Sequence, residues 1–306
     1  MKLNQFRNVV AIAEGGSLRS ASRALGLTQP ALTRSIRELE QEIGTPLFER
    51  RARGMALTPI GQLLVRRASA ILSDVRRIQE EIDQLQGDPQ GKVVVGLSIA
   101  PHVALLPKAL RPFRSRYPHV KLHLAEGYYP TVDAQLRDGS MDFYVGPEAG
   151  QTVPTDLVQE KLFDNWRMVL ARQDHPLSKA RSLRELRHAE WVTTSTTTNE
   201  EHELGELFRQ HGLGAPHLGI RCQSAISLMV SLAYSDLLAM VPQQWTHFDL
   251  TASALAPIHI KEKLPGPAIV VVRRQGLPLT PAAQYLLDLL TRASVAGRAP
   301  TKSSRT

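Results

Sequence analysis

The sequence is poor in several features, and each shortage excludes a class of protein. Cys222 is the single cysteine among 306 residues, which excludes an internal disulfide framework and indicates a reducing compartment. No apolar run approaches the roughly 20 residues that a membrane-spanning helix needs. The chain also does not begin with a basic segment followed by an apolar core, as a signal peptide does. We therefore predict a cytoplasmic protein without membrane contact.

Acidic residues are scarce in the first quarter of the chain. The whole sequence has 37 Lys and Arg, 29 Asp and Glu, and a formal net charge of +8. Residues 1–77 hold 13 of the basic residues and 6 of the acidic ones, which leaves +7 of the excess there. This asymmetry indicates a polyanionic partner, with nucleic acid as the leading candidate. A basic surface that is merely solvated is the alternative.

Motifs for catalysis and metal binding are also missing. His202 to Glu206 resembles the zinc-protease pattern, but Glu206 stands where the second histidine belongs. The ten histidines form no pattern of metal-ligand spacing. We find no phosphate-binding glycine loop after a strand and no Ser–His–Asp set that spacing supports. We therefore predict no enzyme activity, no metal and no cofactor.

Three helical segments open the chain. Residues 3–13 carry apolar residues on one face, and Ser17 is placed to cap a helix over 18–25. Gly26 ends that helix, and Thr28 is placed to cap the next one. Two helices, a tight turn with glycine and a third helix make the helix-turn-helix pattern.

The third helix has one apolar and one polar face. Its apolar residues are spaced 4, 3 and 4 apart and form a single stripe: Leu32, Ile36, Leu39 and Ile43. Arg34, Arg37 and Gln41 lie opposite. A helix that enters a phosphate-lined groove by its N-terminus benefits from its dipole and leading donors. We expect the acids of the later turns to stay outside the groove: Glu38, Glu40 and Glu42.

A basic hairpin and a long helix follow. Residues 46–58 read as strand, basic turn and strand, which is typical of a wing that contacts DNA. A solvated loop is the alternative. Thr58 and Pro59 open a helix to about Gln86, near 45 Å long at 1.5 Å per residue. Its apolar residues are spaced 4, 3, 4 and 3 apart: Ile71, Val75, Ile78, Ile82 and Leu85. This spacing predicts a coiled-coil seam with a second chain. Packing of the helix on its own domain is the alternative.

The remaining residues alternate between strand and helix patterns, which predicts an α/β domain with parallel sheets. Two successive sets of elements predict two lobes with ligand space between them. We expect domain bounds of 1–58, 59–87 and 88–296, followed by a disordered tail over 297–306. The expected lobe bounds are about 88–164 with 266–296 for lobe 1, and 165–265 for lobe 2.

This order of parts resembles the LysR-type transcriptional regulators over essentially the whole chain. The match is strongest over residues 1–65, in motifs such as Leu27 to Arg34 and Leu57 to Gly61. Weaker motifs lie at Arg111 to Phe113 and Asp174 to Leu177. The N-terminal third is most similar to regulators of sugar-uptake or aromatic-sulfonate genes.

The resemblance implies a winged helix-turn-helix, a linker helix and a two-lobed effector domain like the periplasmic binding proteins. It implies dimers through the linker helix and usually tetramers, with promoter DNA and RNA polymerase as partners. A small organic co-inducer, such as an organic anion or aromatic acid, would bind between the lobes and alter DNA bending.

The resemblance also implies which residues contact DNA. Gln29, Pro30, Ala31, Thr33 and Arg34 would lie in the major groove, where Gln suits adenine, Arg suits guanine and small apolar groups suit the thymine methyl. We expect Arg37, Arg50 and Arg51 to contact phosphates and Arg53 to reach the minor groove. Thr28 would contact DNA from the start of the helix.

The expected effector residues follow strands of the two lobes. Hydroxyls and free N–H groups at helix starts suit a carboxylate or sulfonate, although Ser98, Thr194 and Ser195 could equally cap those helices. The expected pocket residues are Ser98, Ile99, Tyr128, Gly146, Pro147, Thr194, Ser195, Thr196 and Gln223.

Two other functions stay open at this point. One is a small-molecule-binding protein or enzyme whose basic N-terminus serves assembly. The other is an architectural DNA-binding protein with a vestigial effector domain.

Overall fold

The N-terminal segment folds into three helices and a hairpin. The computed structural model of the chain describes residues 1–51, 54–86, 90–129, 131–148, 153–194, 199–276 and 278–296. The elements are α1 (Leu3–Gly15), α2 (Leu18–Leu25), α3 (Gln29–Ile43), β1 (Phe48–Arg51) and β2 (Gly54–Leu57). One buried apolar cluster holds them together: Val9, Ile12, Ala21, Leu32, Ile36, Leu39, Leu47 and Phe48.

The long helix α4 (Pro59–Leu85) begins as predicted, with Thr58 as its cap. The Thr58 hydroxyl accepts the Gly61 N–H at 3.0 Å and donates to the Pro46 carbonyl at 2.9 Å. Along α4 an apolar stripe stays exposed, with Ile78 the most accessible at 58%; its other members are Ile71, Val75 and Ile82.

The polar side of α4 packs against the C-terminal domain of the same chain. Arg77 and Asp142 form an ion pair of 2.9 Å whose side chains are only 6% and 3% exposed. Around it, the Ser73 hydroxyl donates to the Gly139 carbonyl at 2.5 Å, and Arg274 pairs with Asp74 at 2.9 Å. At 100° per residue, Ser73 and Arg77 lie roughly opposite the apolar stripe. We call this set of contacts the linker dock.

Burial disfavours the charged forms of Arg77 and Asp142 in the linker dock. Desolvation lowers the pKa of Arg77 and raises the pKa of Asp142, and in each case the attraction of the partner opposes that shift. Asp142 also accepts the Val94 N–H at 2.7 Å. The pair is therefore tied to the strand that Val94 belongs to.

Lobe 1 contains three parallel strands. The first lobe-1 elements are β3 (Lys92–Leu97), α5 (Ile99–Ala104), α6 (Leu106–Arg116), β4 (Lys121–Glu126), α7 (Asp133–Arg137) and β5 (Phe143–Pro147). Strand β3 pairs in parallel with both β4 and β5. The carboxyl ends of all three strands therefore meet at one edge.

Lobe 2 and the return to lobe 1 complete the domain. The elements are β6 (Leu157–Arg172), β7 (Glu190–Thr193), α8 (Asn199–Gln210), β8 (His217–Arg221), α9 (Ala225–Ala233), β9 (Ala239–Pro242), β10 (Leu255–Ile258), β11 (Pro265–Arg274) and α10 (Pro281–Ala296). Two short 3₁₀ helices, Gln243–His247 and Asp249–Thr251, precede β10. The main sheet has the order β10-β6-β11-β5-β3-β4, with β9 also on β6.

The prediction of parallel sheets was wrong for half of this domain. Strand β11 is antiparallel to both β5 and β6, and β6 is antiparallel to β9 and β10. The buried strands of parallel and antiparallel sheets carry the same apolar runs, so periodicity alone does not separate them. Because β6 is 16 residues long, it joins the sheet of lobe 1 to the sheet of lobe 2.

Two local sequence patterns predict structures that differ from those observed. The pattern from about Leu105 to Tyr117 predicts one helix, but a separate short helix, α5, precedes α6. The pattern of residues 183–186 predicts a short helix, but these residues form turns. The strand β10 was not predicted, because it carries Pro257, which is unusual inside a strand.

Candidate nucleic-acid interface

One face of α3 is buried in the core, so the opposite face is turned away from it. Leu32, Ile36 and Leu39 are buried against α1 and α2. The predicted apolar stripe is therefore confirmed, and the polar face of α3 points away from the core. That outer face is the basic surface that the charge distribution led us to expect.

The first turn of α3 is stabilised by two threonines. The Thr28 hydroxyl accepts the Ala31 N–H at 3.3 Å, as a helix cap does. The Thr33 hydroxyl donates to the Gln29 carbonyl at 2.8 Å. Both hydroxyls thus stabilise the start of the helix. Pro30 lies in the first turn, where a backbone N–H would have no partner within the helix, so the missing N–H of proline costs no hydrogen bond.

A shallow open groove runs along the outer face of α3. Five residues predicted to contact DNA line it, namely Gln29, Pro30, Thr33, Arg34 and Arg37, together with Glu38 and Gln41. Within the described residues, Arg34 and Arg37 form no ion pair, so their charges are available to a partner. We call this surface the α3 groove.

The three glutamates of α3 have different surroundings in the structure, and their expected position outside the DNA groove stays a prediction. Glu40 accepts the Leu47 N–H at 2.7 Å and so fixes the start of the hairpin. Glu42 pairs with the N-terminal ammonium of Met1. Glu38 lines the α3 groove itself. Glu38 belongs to a later turn of α3 than Arg34, but residues four apart on a helix are neighbours, so the two side chains lie side by side.

The hairpin is anchored to the helices at its glycine. Gly54 has φ of +133°, and a Cβ there would lie 2.5 Å from the Gly16 carbonyl oxygen. The next residue, Met55, donates its N–H to the same carbonyl at 3.0 Å. Arg51 pairs with Gly54 in the backbone register, whereas Arg53 lies outside the described residues. The hairpin is therefore fixed against the turn between α1 and α2.

The second candidate site lies where β3 and β5 end. Ser98 is buried and its N–H donates to the Val145 carbonyl at 3.0 Å. A Cβ at Gly146 would lie 1.9 Å from the Tyr144 hydroxyl and 3.0 Å from Ser98 Cβ. The structure therefore brings Ser98 and Gly146 together and requires glycine at 146.

Two buried hydroxyls meet at this point. Neither Ser98 Oγ nor the Tyr144 hydroxyl has a partner in hydrogen-bond geometry within the described residues. Burial raises the pKa of Tyr144, so this phenol stays protonated. The sequence did not single out Tyr144, because a buried aromatic residue in a strand is ordinary core.

The other expected pocket residues are spread around the cleft. Ile99 is buried in an apolar cluster that it shares with Leu228 and Trp245 of lobe 2. Tyr128 donates its N–H to Thr131 at 3.3 Å, and Pro147 ends β5 opposite Ile269. Thr194 is buried at the end of β7 and Gln223 is exposed ahead of α9; Ser195 and Thr196 lie outside the described residues.

A hydrogen bond between Glu126 and Ala225 connects the two lobes. Glu126, at the end of β4, accepts the N–H of Ala225 at 3.0 Å. Ala225 is the first residue of α9, which Ser224 caps. A carboxylate of lobe 1 thus lies at a helix start of lobe 2.

The described residues show neither a metal site nor a membrane span. They contain no group of three His, Cys, Asp or Glu side chains arranged to hold a metal ion. None of the helices in this part of the chain combines the length and apolar character that a membrane span requires.

Two family models match the chain in the order of its parts. Residues 3–62 match the bacterial regulatory helix-turn-helix protein, lysR family, and residues 86–294 match the LysR substrate binding domain. The chain belongs to the LysR family. This LysR-family protein is a DNA-binding transcriptional regulator with a substrate-binding domain, which decides against the enzyme alternative.

Relatives of this regulator extend over most of its length. The SDS degradation transcriptional activation protein of Pseudomonas sp. (strain ATCC 19151) is 29% identical over 309 residues, covering 99% of each chain. The HTH-type transcriptional regulator GalR of Pseudomonas putida is 28% identical and covers 91% of this chain and 70% of its own.

A solved structure has the same fold. Full-length CbnR, crystallised with its target DNA, superimposes with a TM-score of 0.67 over 96% of this chain and 100% of CbnR, at 19% identity.

Proposed function

We propose that this LysR-family regulator inserts the start of α3 into the major groove of promoter DNA. Arg34 and Arg37 carry the proposal, because both lie on the outer face of α3 without an ion-pair partner among the described residues. The bases would be contacted by Gln29, Pro30, Ala31, Thr33 and Arg34. Phosphates would be contacted by Arg37, Arg50 and Arg51, with Thr28 at the helix start and Arg53 in the minor groove.

Titration with DNA tests this proposal. The full chain is titrated with a duplex from the intergenic region upstream of its own coding sequence, at several salt concentrations. We expect the logarithm of the binding constant to fall linearly with the logarithm of salt, by about 0.9 for each phosphate contacted. Absence of binding at low salt contradicts the proposal.

We further propose that a small organic molecule binds between the lobes. The two buried hydroxyls of Ser98 and Tyr144 support it, because buried polar groups normally have partners. An organic anion or an aromatic acid suits the N–H groups at the starts of the helices around the cleft. The proposed pocket residues are Ser98, Ile99, Tyr128, Gly146, Pro147, Thr194, Ser195, Thr196 and Gln223.

Ligand binding has a thermodynamic test. A ligand that binds only the folded state raises stability by about 2.7 kcal/mol at 100 times its dissociation constant. A thermal-shift screen of organic acids on the full chain should therefore find compounds that raise the unfolding temperature. If all compounds leave it unchanged, the pocket proposal fails and the architectural alternative gains support.

Assembly and location complete the proposal. The exposed stripe of α4 fits a second copy of the same helix, because apolar residues in a 3–4 repeat bury each other in a coiled coil. We propose a dimer through α4 and a tetramer in the cytoplasm, which changes the bending of DNA and its contact with RNA polymerase when the ligand binds. Sedimentation of the full chain would show a monomer if the stripe has another purpose.

A further inference from the structure

Glu38 is an acidic side chain on the surface that faces DNA in the proposed function. It lines the α3 groove together with Arg34 and Arg37, and it is exposed. A carboxylate on such a face is repelled by phosphates, so it weakens non-specific attraction to DNA, which is electrostatic. An acid in this position therefore needs a benefit that offsets the repulsion.

The structure gives Glu38 no intramolecular role. Within the described residues it forms no hydrogen bond or ion pair, whereas Glu40 holds the hairpin and Glu42 holds the N-terminus. Arg34 is four residues earlier, but this order of cation and acid is the weaker one for a pair on a helix. The carboxylate oxygens of Glu38 remain available as hydrogen-bond acceptors.

The positions of Arg34 and Glu38 match the spacing of bases. For a helix that lies along the groove, the four residues from Arg34 to Glu38 rise about 6 Å, which is close to two base-pair steps of about 3.4 Å each. In the major groove, guanine offers acceptors that suit an arginine, and cytosine offers the N4 amine that suits a carboxylate. Two neighbouring side chains of opposite character can therefore read two nearby base pairs.

We propose that Glu38 is a specificity-determining residue that accepts a hydrogen bond from the N4 amine of a cytosine near the base contacted by Arg34. The same carboxylate disfavours other DNA, because there it meets phosphate repulsion without the compensating amine. This inference rests on the proposed position of α3 in the major groove.

The test compares Glu38 with Glu42, which carries the same charge on the same helix outside the groove. The full-length protein first selects its preferred duplex from a randomised DNA library. Affinities for the selected and a random duplex are then measured for Glu38→Ala, Glu38→Gln and Glu42→Gln. We expect Glu38→Ala to reduce the ratio of selected to random affinity by about 5- to 100-fold and to abolish the preference for one C·G pair.

The two control variants give further outcomes. Glu38→Gln should retain part of the preference, because its amide oxygen still accepts a hydrogen bond, and Glu42→Gln should retain all of it. The proposal is overturned if Glu38→Ala changes both affinities by the same factor and selects the same sequence as the wild type. Thermal unfolding confirms that each variant is folded, and if Glu38→Ala is not, Glu38→Gln decides by the same comparison of preferences.

Failure of this inference differs from failure of the proposed function. If the wild-type protein selects no sequence at all, the placement of α3 in DNA is contradicted. If Arg34→Ala changes the selected sequence and the Glu38 variants do not, α3 reads DNA without Glu38.

Discussion

Arg34 and Arg77 lie on two helices of the same chain in opposite electrostatic environments. Arg34 lines the open α3 groove, and the described residues offer it no ion-pair partner. Arg77 is buried in the linker dock and paired with Asp142 at 2.9 Å. The basic N-terminal quarter therefore contains charges with two different purposes, which the sequence total does not separate.

The difference has an energetic reason. A buried ion pair gains little net stability, because both charges lose their hydration, but it is costly to break from one side. Such a pair fixes how two elements meet. An exposed and unpaired arginine keeps its hydration until it binds a polyanion. Binding then releases counterions from that polyanion. We infer that the linker dock sets the position of the effector domain on α4, and that the α3 groove is kept for DNA.

Removing Arg77 should have the largest effect. Arg77→Ala leaves the Asp142 carboxylate buried without its partner, and we expect a loss of about 3–5 kcal/mol in the free energy of unfolding. Urea unfolding measures this loss. Arg76→Ala is the control, because Arg76 forms a partly exposed pair with Glu80 four residues later and a hydrogen bond of 3.3 Å to the Ser73 hydroxyl, which together should cost about 1 kcal/mol.

A double variant separates charge from packing. Arg77→Met with Asp142→Asn removes both charges and keeps an oxygen for the Val94 N–H. It should recover most of the stability that Arg77→Ala loses. If the double variant is as unstable as Arg77→Ala, the unpaired charge is not the cause.

Glu40 tests a paired charge inside the DNA-binding region. Glu40→Ala removes the acceptor of the Leu47 N–H, and an unsatisfied buried donor costs about 1–3 kcal/mol. We expect a lower unfolding temperature and weaker binding to all DNA, because the hairpin loses its anchor. Glu42→Ala should change the unfolding temperature much less, since its partner is the exposed N-terminus. Equal losses in the two variants would contradict the anchoring role.

Arg37 tests an unpaired charge that we assign to phosphate. Arg37→Ala should weaken binding to selected and random DNA alike and reduce the salt slope by about 1. Its unfolding temperature should equal that of the wild type, because the described residues give Arg37 no partner to lose. A change in the selected sequence would instead make Arg37 a base-reading residue.

The smallest effect is expected at a surface pair. Asp156 accepts two hydrogen bonds from Arg137, of 2.8 and 2.7 Å, which lower the pKa of Asp156. The pair therefore stabilises the fold above the ordinary aspartate pKa of about 3.9, and this contribution is lost as the pH falls through and below that value. Because the Asp156 side chain is 48% exposed, Asp156→Asn should cost only a few tenths of a kcal/mol at pH 7. Unfolding at pH 7 and pH 2.5 checks this, and an equal loss at both values would contradict it.

Much of the fold could be predicted from the sequence, because local signals specify it. The caps at Ser17, Thr28 and Thr58 and the stripe Leu32–Ile36–Leu39 predicted α2, α3 and α4 almost to the residue. The direction of β6 and β11 was not predictable, since strand orientation depends on how distant segments meet and leaves no periodicity. The linker dock was missed for the same reason: its ion pair joins residues 65 positions apart.

The candidate site was predictable where side chains act from one helix. Helical spacing placed Arg34, Arg37 and Gln41 on one face, and the α3 groove brings them together. The role of Glu40 needed the fold, because its partner Leu47 lies beyond the end of α3. The contact of Tyr144 with Gly146 also could not be predicted without the fold, because it joins alternate residues of β5 and includes Ser98 from outside that strand. The DNA contacts of Arg50, Arg51 and Arg53 stay predictions.

One measurement on Arg34→Ala tests the central claim that the α3 groove keeps its unpaired charges for reading DNA. The variant and the wild type are titrated with the selected and random duplexes, and both proteins are unfolded thermally. We predict an unchanged unfolding temperature and a loss of about 1–3 kcal/mol on the selected duplex alone, with relaxed preference at one base pair. An equal loss on both duplexes, or a fall in unfolding temperature like that of Arg77→Ala, would contradict the claim.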